Sequence, residues 1–540
     1  YLAVGLLGLG AVLAIRVAIV NREDIATRGI AVTLRDGTIV FRQNPRLVEI
    51  AARIRRGTIA DRNGVVLAAS DVHGKRTYPL GAALGTLLGT DPSPVLRAPW
   101  AIERVFDHHL RGYEERAGGP RYRDLSRVAP DAPMPWPDLR PFAYLISLPA
   151  AEREAAITAI DAEIAARSVR LTIDARLQTK IAELLRAAVT AKHPAAIAVV
   201  IDVDTGQVLA RVQVPDLDPN DATPRAPSDA ATRQFYGAYG AWPDKTGLHG
   251  VFQAGSVAKL FVALAAVRSG HAADGERCGA RSRTVFACTE RDAEGPSFTS
   301  PGWTKPIHDH RNDPTHGRVD LVTALAVSCN IYFGQLGLAL GPAPLVSLRD
   351  AGVDVGYAGD RAFQPGAPGT RMLASTAFGQ GAMAMNAMQA ARLTAAIAAG
   401  GRYRRCPSTM ELDAKCSEVA LVADPSMLAP IVAGMHRVMT EGTGHGLHPP
   451  PGIRVYGKTG TADAPGFAGE EPFGIAPGAD AEPHSWFVAF AEPASTVECA
   501  AVSPKRIALA VVVPRGGTGA VTAGPLAMQI LAAIHDLGYL

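Results

Sequence analysis

Aromatic residues are scarce in this chain: 5 Trp, 12 Tyr and 15 Phe make up 6% of its 540 residues. With 54 Gly and 40 Pro beside them, this reads as a GC-rich coding bias and carries no functional signal. Charge of one sign is missing too. Lys and Arg total 54 against 51 Asp and Glu, a formal net charge of +3, and the basic residues are dispersed. Without a basic arm or a run of like charge there is no electrostatic footprint for nucleic acid. No internal repeat is present, which excludes stacked-repeat architectures. At this length a single compact core is excluded as well, and two or more domains are expected.

Long apolar runs are limited to the start. Tyr1 to Ile15 carries no charge, and apolar character resumes after Arg16 as far as Val20. A membrane helix needs roughly 20 apolar residues, a length reached here by tolerating Arg16 near the end. No small-residue cleavage pattern follows in Asn21-Arg-Glu-Asp24, so the segment reads as an uncleaved signal anchor over residues 1–20, not a removed leader. The first residue is Tyr, not Met, and a true N-terminus is expected upstream. Everything after Asn21 is then expected outside the cytoplasm.

Six cysteines suit that compartment. Cys278 and Cys288 bracket one polar stretch, and Cys406 and Cys416 another at the same spacing. A local disulfide across each is consistent with an oxidising space, free buried thiols being the alternative. Cys329 and Cys499 have no evident partner.

Along the chain, short elements rich in Arg and Pro run from the anchor to about residue 165, with a Pro-dense loop over 120–141. The pattern changes at Val169. Leu171-Thr-Ile-Asp-Ala-Arg-Leu-Gln178 opens an amphipathic helix reaching to about Ala191. Ala196–Asp202 and Gln207–Val214 flank a Gly-bearing turn and read as a hairpin. His484–Phe490 and Ile507–Val513 are further strands, closed by a helix around Pro525–His535. Strands at both ends of a long helical middle predict an α+β domain, an antiparallel sheet built from both termini and flanked by helices.

Three motifs sit in that domain in fixed order. Ser256-Val-Ala-Lys259 opens an apolar run, Leu260–Val267, that reads as a buried helix. Ser256 is thereby placed at a helix N-terminus, where free N–H groups favour developing negative charge. Lys259, three residues on, shares its face and is positioned to act as general base. Ser328-Cys-Asn330 lies between two helical patterns, where a hydroxyl can relay a proton and an amide can hold a substrate peptide group. Lys458-Thr-Gly-Thr461 reads as an edge strand: Lys458 supplies positive potential, Thr459 and Thr461 grip a carboxylate, and Gly460 lets a backbone approach. The N–H groups of Ser256 and Thr461 are the natural oxyanion pair. Lys245-Thr-Gly247 copies the last tripeptide but has no strand after it and reads as a loop. Singly these motifs are weak, since a Ser and a Lys one turn apart usually mean only a capped helix.

In conjunction the motifs resemble those of penicillin-binding proteins and β-lactamases. The wider pattern resembles a class B penicillin-binding protein. Arg56-Gly-Thr-Ile-Ala-Asp-Arg-Asn-Gly64, Arg76-Thr-Tyr-Pro79, Ile102-Glu-Arg-Val-Phe106 and Leu110-Arg-Gly112 resemble that family's non-catalytic pedestal. Leu171-Thr-Ile-Asp174, Asp218-Pro-Asn220, Gly379-Gln-Gly381, Glu441-Gly-Thr443 and His484-Ser-Trp-Phe487 resemble its catalytic domain. Ala254-Gly255 stands where the family often has Pro-Gly, a change that removes no chemical group. The resemblance implies an anchor at 1–20, an extended α+β pedestal at 21–165 and a transpeptidase domain at 166–540 whose sheet is accompanied by an all-helical subdomain. It implies Ser256 as acylated nucleophile, Lys259 as base and Ser328 as proton shuttle. Asn330, Lys458, Thr459, Gly460 and Thr461 would bind substrate. The implied activity is D,D-transpeptidation of peptidoglycan stem peptides, with covalent capture of β-lactams, at the cytoplasmic membrane beside a membrane glycan polymerase.

Other readings use the same residues. A β-lactamase or β-lactam sensor shares the acylation groups, but usually lacks the pedestal, and no candidate for a deacylating glutamate is evident. A D,D-carboxypeptidase would use water as acceptor, and a non-enzymatic scaffold would keep only the partner contacts. Residues 21–165 show no acidic motifs of a glycosyltransferase. His308, His310 and His316 with Asp309 and Asp313 have spacing that can serve zinc, but no matching partner group is evident and the family shows a similar His-Gly here. No metal and no cofactor is assigned. His108, His109 and His445 read as ordinary loop or surface residues.

Overall fold

A computed structural model describes residues 8, 10–16, 30–33, 39–42, 44–89, 101–112, 139, 142–190, 193, 195–216, 218–220, 252–271, 284–355, 363–407, 410–462, 482–494 and 505–540. The chain divides into two units, Tyr1–Leu171 with Leu217–Arg225, and Thr172–Asp216 with Ala226–Leu540. Of the expected anchor, residues 8 and 10–16 are helical and the rest lies outside the described residues. Among the described residues no single helix is long and apolar enough to cross a membrane. The Pro-dense stretch, apart from Leu139, and the Lys245-Thr-Gly247 copy also lie outside them.

The first unit holds a four-stranded sheet. Its strands are β1 (Ile59–Ala60), β2 (Val66–Ser70), β3 (Arg76–Thr77) and β4 (Val169–Arg170), in the order β3-β2-β1-β4. Asp61 makes the β1–β2 turn, its Oδ1 accepting the N–H groups of Asn63 and Val65, both at 2.8 Å. Beside the sheet, Leu47, Ile50, Phe142, Leu145, Ile157 and Ile160 form an apolar cluster.

A buried ion network joins the pedestal-like motifs. Glu103, with none of its surface exposed, accepts from Arg56 Nη2 at 2.8 Å and Arg76 Nε at 2.7 Å. Asp107 accepts from Arg56 and, at 2.8 Å, from Arg111 Nε. Burial by itself would raise the Glu103 carboxyl, but Arg76 and Arg56 hold it below the usual range. One residue from each of Arg56-Gly, Arg76-Thr, Ile102-Glu103 and Leu110-Arg111 meets here. Asn220 also belongs to this unit: its side chain takes Tyr78 N at 2.9 Å and gives to Tyr78 O at 2.8 Å. Nothing in its spacing reveals that a polar side chain reaches back 142 positions to a backbone.

The second unit is built on a five-stranded antiparallel sheet. In chain order its strands are β5 (Ala196–Asp202), β6 (Val208–Val214), β7 (Ile453–Ala462), β8 (His484–Pro493) and β9 (Ile507–Val513). They lie as β7-β8-β9-β5-β6, which joins the two chain ends at the β9–β5 pair. Every residue of β9 is buried, as expected of a strand covered on both faces. One face carries α1 (Ala175–Ala188); the unit also holds, among other helices, α2 (Ala258–Arg268), α3 (Leu321–Ala326), α4 (Asn330–Leu340), α5 (Ala387–Ala398), α6 (Ala429–Thr440) and α7 (Ala523–Asp536). α7 packs with α1, and α5 lies across β5, β8 and β9.

Where the sequence reading started a helix at Leu171, the structure starts it at Ala175. Asp174 caps it, accepting Arg176 N at 2.9 Å, while Thr172 bonds Val208 O at 2.7 Å as part of an extended lead-in. The helical region is also not all-helical. Short strands at Phe286–Cys288, Gly295–Phe298, Ile307–His308 and Gly317–Val319 interrupt it, in a stretch whose Gly, Pro and charged residues carry no helical period.

α2 is the centre of this unit. Every residue from Ala258 to Val267 is buried, so the helix has no solvent face. Leu260, Phe261, Val262, Leu264 and Val267 each contribute roughly 1.5–3 kcal/mol by burial, which fixes what stands at its N-terminus.

Candidate active site

Ser256 stands in a single 3-10 turn, Gly255–Val257, that runs into α2. Three contacts hold the turn. Gly255 N donates to Gly379 O at 3.0 Å, Ala254 N to Met383 O at 3.3 Å, and Trp486 Nε1 to Gln253 O at 3.0 Å. Gly379 has φ +102°, and a Cβ there would lie 1.7 Å from Gly255 O. That is a physical reason for Gly379-Gln-Gly381 in a segment so far along the chain. Ser256 is left half-buried on the wall of a cleft of about 800 Å³, which Ser328, Asn330, Thr459, Thr461 and Thr518 also line.

Lys259, one helical turn on, is fully buried. Its Nζ donates to Ser328 O at 2.5 Å, Asn330 Oδ1 at 2.7 Å and Ser328 Oγ at 3.2 Å, which uses all three N–H groups of an ammonium. Loss of hydration lowers its pKa to about 8, outweighing the attraction of Asp309, Cys329 and Asp313. A base with that pKa is partly neutral near physiological pH.

Ser328 has φ +60°, a left-handed backbone that costs a non-glycine residue roughly 1–3 kcal/mol. Its surroundings impose it. Cys329 N donates to Ala324 O at 3.0 Å, and the Ser328 hydroxyl accepts from Lys458 Nζ at 2.8 Å as well as from Lys259. Ser328 therefore bridges two lysines. Asn330 is the first residue of α4; its Nδ2 donates to His308 O at 2.9 Å and its backbone N–H to Asp309. Asp309 is buried, and although burial raises its carboxyl, His316 and Lys259 bring it below the usual range. Burial pushes the Cys329 thiol up, so it is no nucleophile.

The Lys458 strand differs from the sequence reading in two respects. Lys458 is fully buried, donates to Thr459 O at 3.0 Å, and touches the cleft only through Ser328. Desolvation, with repulsion from Lys259, holds it well below its ordinary value. At Gly460 a Cβ would sit 2.8 Å from Trp486 Cβ and 2.9 Å from Val257 Cγ2. The space is taken by the turn that carries Ser256, so this glycine seats the strand on that turn. A Cβ on Gly255 would fall 2.5 Å from Thr461 O, so the turn and strand touch where the two expected oxyanion N–H groups lie.

Other residues hold these groups in place. Thr443 N donates to Ala326 O at 3.1 Å and its hydroxyl pairs with that of Thr459 at 2.6 Å, tying the end of α3 to β7. Asp309 accepts the N–H of Asn330 across 21 positions, a bond with no sequence signal. The expected Cys406–Cys416 disulfide is formed. Cys278 and Cys499 lie outside the described residues, and Cys288 is a free buried thiol beside Cys329.

The site thus combines a half-buried serine on a 3-10 turn, a buried lysine one helical turn on, a hydroxyl between two lysine amines and a strand along the cleft, groups whose chemistry suits acyl transfer. Residues 196–532 match the penicillin-binding protein transpeptidase domain. The chain belongs to that family, in the class B branch of penicillin-binding proteins. It is similar to the peptidoglycan D,D-transpeptidase PbpA of Mycobacterium tuberculosis, 26% identical over 358 residues, covering 62% of this chain and 66% of that protein. A probable peptidoglycan D,D-transpeptidase, PbpC of Pseudomonas aeruginosa, is 26% identical over 321 residues, covering 55% of this chain and 48% of that protein. The chain thus spans between about half and two thirds of the length of the curated relatives it matches. Its fold is similar to the ceftriaxone acyl-enzyme of M. tuberculosis penicillin-binding protein A, with a TM-score of 0.59 at 21% identity over 90% of this chain and 99% of that one. The P. aeruginosa PBP2 structure gives 0.57 at 21% identity, over 89% and 96%.

Proposed function

We propose that the protein is a peptidoglycan D,D-transpeptidase. The observation that carries the reading is the convergence of Ser256, Ser328, Asn330, Thr459 and Thr461 on one cleft from segments about 200 positions apart, with the buried Lys259 and Lys458 both bonded to the Ser328 hydroxyl. Ser256 Oγ attacks the carbonyl of the D-Ala-D-Ala amide, and its proton passes to neutral Lys259. The N–H groups of Ser256 and Thr461 take the charge on the carbonyl oxygen; losing one such donor typically costs roughly 100- to 1000-fold. Ser328, joined to both lysines, returns a proton to the leaving D-Ala nitrogen. An amine of a neighbouring stem peptide then displaces Ser256 and forms the cross-link. Asn330 holds the substrate amide, and Thr459 and Thr461 hold its carboxylate, with Lys458 supplying positive charge from behind.

The apolar start of the chain supports a single-pass anchor in the cytoplasmic membrane with residues 21–165 as a pedestal and 166–540 as an extracytoplasmic catalytic domain. On this reading the pedestal offers a surface for a membrane glycan polymerase. Labelling with a fluorescent penicillin, followed by mass spectrometry, tests the assignment. A long-lived adduct on Ser256, absent in Ser256→Ala, is expected. Rapid drug hydrolysis would point to a β-lactamase, and absence of any adduct to a scaffold.

A further inference from the structure

The segment between β9 and α7 is pressed onto the strand that bears Thr461. Thr461 and Ser485 are direct partners in the β7–β8 register. Ser485 is fully buried, and its hydroxyl donates to Thr518 O at 2.9 Å and accepts from Ala523 N at 3.1 Å. The next residue along, Gly519, donates its N–H to Thr461 Oγ1 at 3.3 Å. A Cβ on Gly519 would fall 2.4 Å from Trp486 O and 2.6 Å from Gly460 O, so only a glycine lets the segment lie this close to β7 and β8. Thr522 Oγ1 closes the turn on Gly516 O at 2.6 Å. Thr518 is therefore fixed by its carbonyl, while its side chain is exposed on the wall of the cleft.

The chemistry of a carboxylate gives this placement a meaning. An ionised carboxylate only accepts hydrogen bonds, on two oxygens, and each needs donors. Lys458 is buried and reaches the cleft only through Ser328. The Thr459 hydroxyl is shared with that of Thr443. Thr461 Oγ1 already accepts from Gly519, which leaves its own proton to donate into the cleft. Two hydroxyls are few for a charged ligand whose cation stands behind the wall. Among the described residues the Thr518 hydroxyl has no hydrogen-bond partner, and it lines the same cleft beside Thr461.

We propose that Thr518 Oγ1 is a further donor to the ligand carboxylate, acting next to Thr461, and that Ser485 is the positioning residue that sets it there. The inference rests on the proposed function and adds to it a group outside the three motifs. Ser485 stands opposite Thr461 in the sheet and holds Thr518 by its carbonyl, so one buried hydroxyl fixes the separation of two donors. Thr518 touches the ligand; Ser485 acts through it.

The test compares a penicillin with its methyl ester, which keeps the reactive amide and masks the carboxylate. The full chain in detergent is acylated with each, and the Ser256 adduct is followed by mass spectrometry. The readout is the ratio of the two second-order rates, acid over ester, which a general loss of structure does not move. Thr518→Val is expected to lower that ratio roughly 10-fold, as loss of a hydrogen bond to a charged group does, and Thr518→Ser to keep most of it. Ser485→Ala is expected to lower it roughly 3- to 10-fold, and the double variant no further than Thr518→Val alone, because the two act as one unit. A ratio unmoved in Thr518→Val, or lowered equally in Thr518→Ser, would remove Thr518 as a donor. A ratio unmoved in Ser485→Ala, or losses that multiply in the double variant, would remove Ser485 as its positioning residue. An adduct with both compounds but no change of ratio in any variant overturns this inference and leaves the function standing. No adduct with either compound on the unmodified chain overturns the function, and this inference with it.

Discussion

The burial of Lys259 makes a quantitative prediction about pH. An unburied lysine at its ordinary value of 10.5 would be neutral in only about 0.03% of molecules at pH 7. With the pKa lowered to about 8, roughly a tenth of the molecules carry the neutral base at that pH, a gain of about 300-fold. The second-order rate of Ser256 acylation by a fluorescent penicillin should therefore rise roughly tenfold per pH unit below a midpoint near pH 8 and level off above it. Lys259→Arg keeps a permanent cation at the same place and should cost about 10²- to 10⁴-fold at every pH. The same shift acts on stability. The folded chain releases this proton near pH 8 and the unfolded chain near 10.5, so the contribution of Lys259 to stability rises with pH across that window. Below pH 8 the buried cation costs about 3 kcal/mol, and Lys259→Met should recover part of that in a denaturant titration at pH 7 while abolishing labelling. A rate that stays flat from pH 6 to 10, or a midpoint near 10.5, would refute Lys259 as the base.

The pedestal and the periphery of the site yield three more tests. Glu103→Ala leaves Arg56 and Arg76 buried without their carboxylate and should cost about 3–5 kcal/mol, seen as loss of one unfolding transition with the other retained. Because the Glu103 carboxyl is depressed, its contribution is present above the ordinary carboxylate range and fades as pH falls through the folded-state value; a melting temperature of this unit unchanged from pH 7 to 3 would contradict it. Cys406→Ser opens a loop closed across 10 positions and should lower stability by about 2–3 kcal/mol by the chain-entropy account, an effect mimicked by reductant. Thr443→Val removes the partner of the Thr459 hydroxyl and should raise the penicillin concentration needed for half-labelling more than it slows the acylation step.

Much of the catalytic unit was legible locally. Strands β5, β6 and β9 announce themselves by Val- and Ile-rich runs and β8 by an apolar aromatic one, and α2 by an apolar stretch with no polar face. Ser256, Lys259, Ser328 and Asn330 were found because their spacing within each motif carries chemistry. What was not legible depends on distant pairing. Asp309 is an unremarkable acidic residue until the fold sets it under Asn330, and Cys288 looked like the partner of Cys278 because only short spacings can be read from a sequence. Likewise, the Lys-Thr-Gly-Thr motif suggests an edge strand at Lys458 but says nothing of how deeply that lysine lies. The strands between 286 and 319 are two to four residues long, too short for any period to register.

Strand β7 has one hydrogen-bonded neighbour among the described residues, so the other row of its peptide groups borders the cleft. On the proposed reading, a ligand laid along that row is recognised by the shape of its main chain, with few demands on its side chains. Such a site is permissive by construction: it accepts any molecule that offers an amide carbonyl and a carboxylate at the right separation. The economy that lets one cleft serve stem peptides of varied composition is the same property that exposes it to small rigid mimics. Resistance that preserves turnover must then come from altering how fast Ser256 reacts, because altering what the strand recognises would discard the substrate along with the inhibitor.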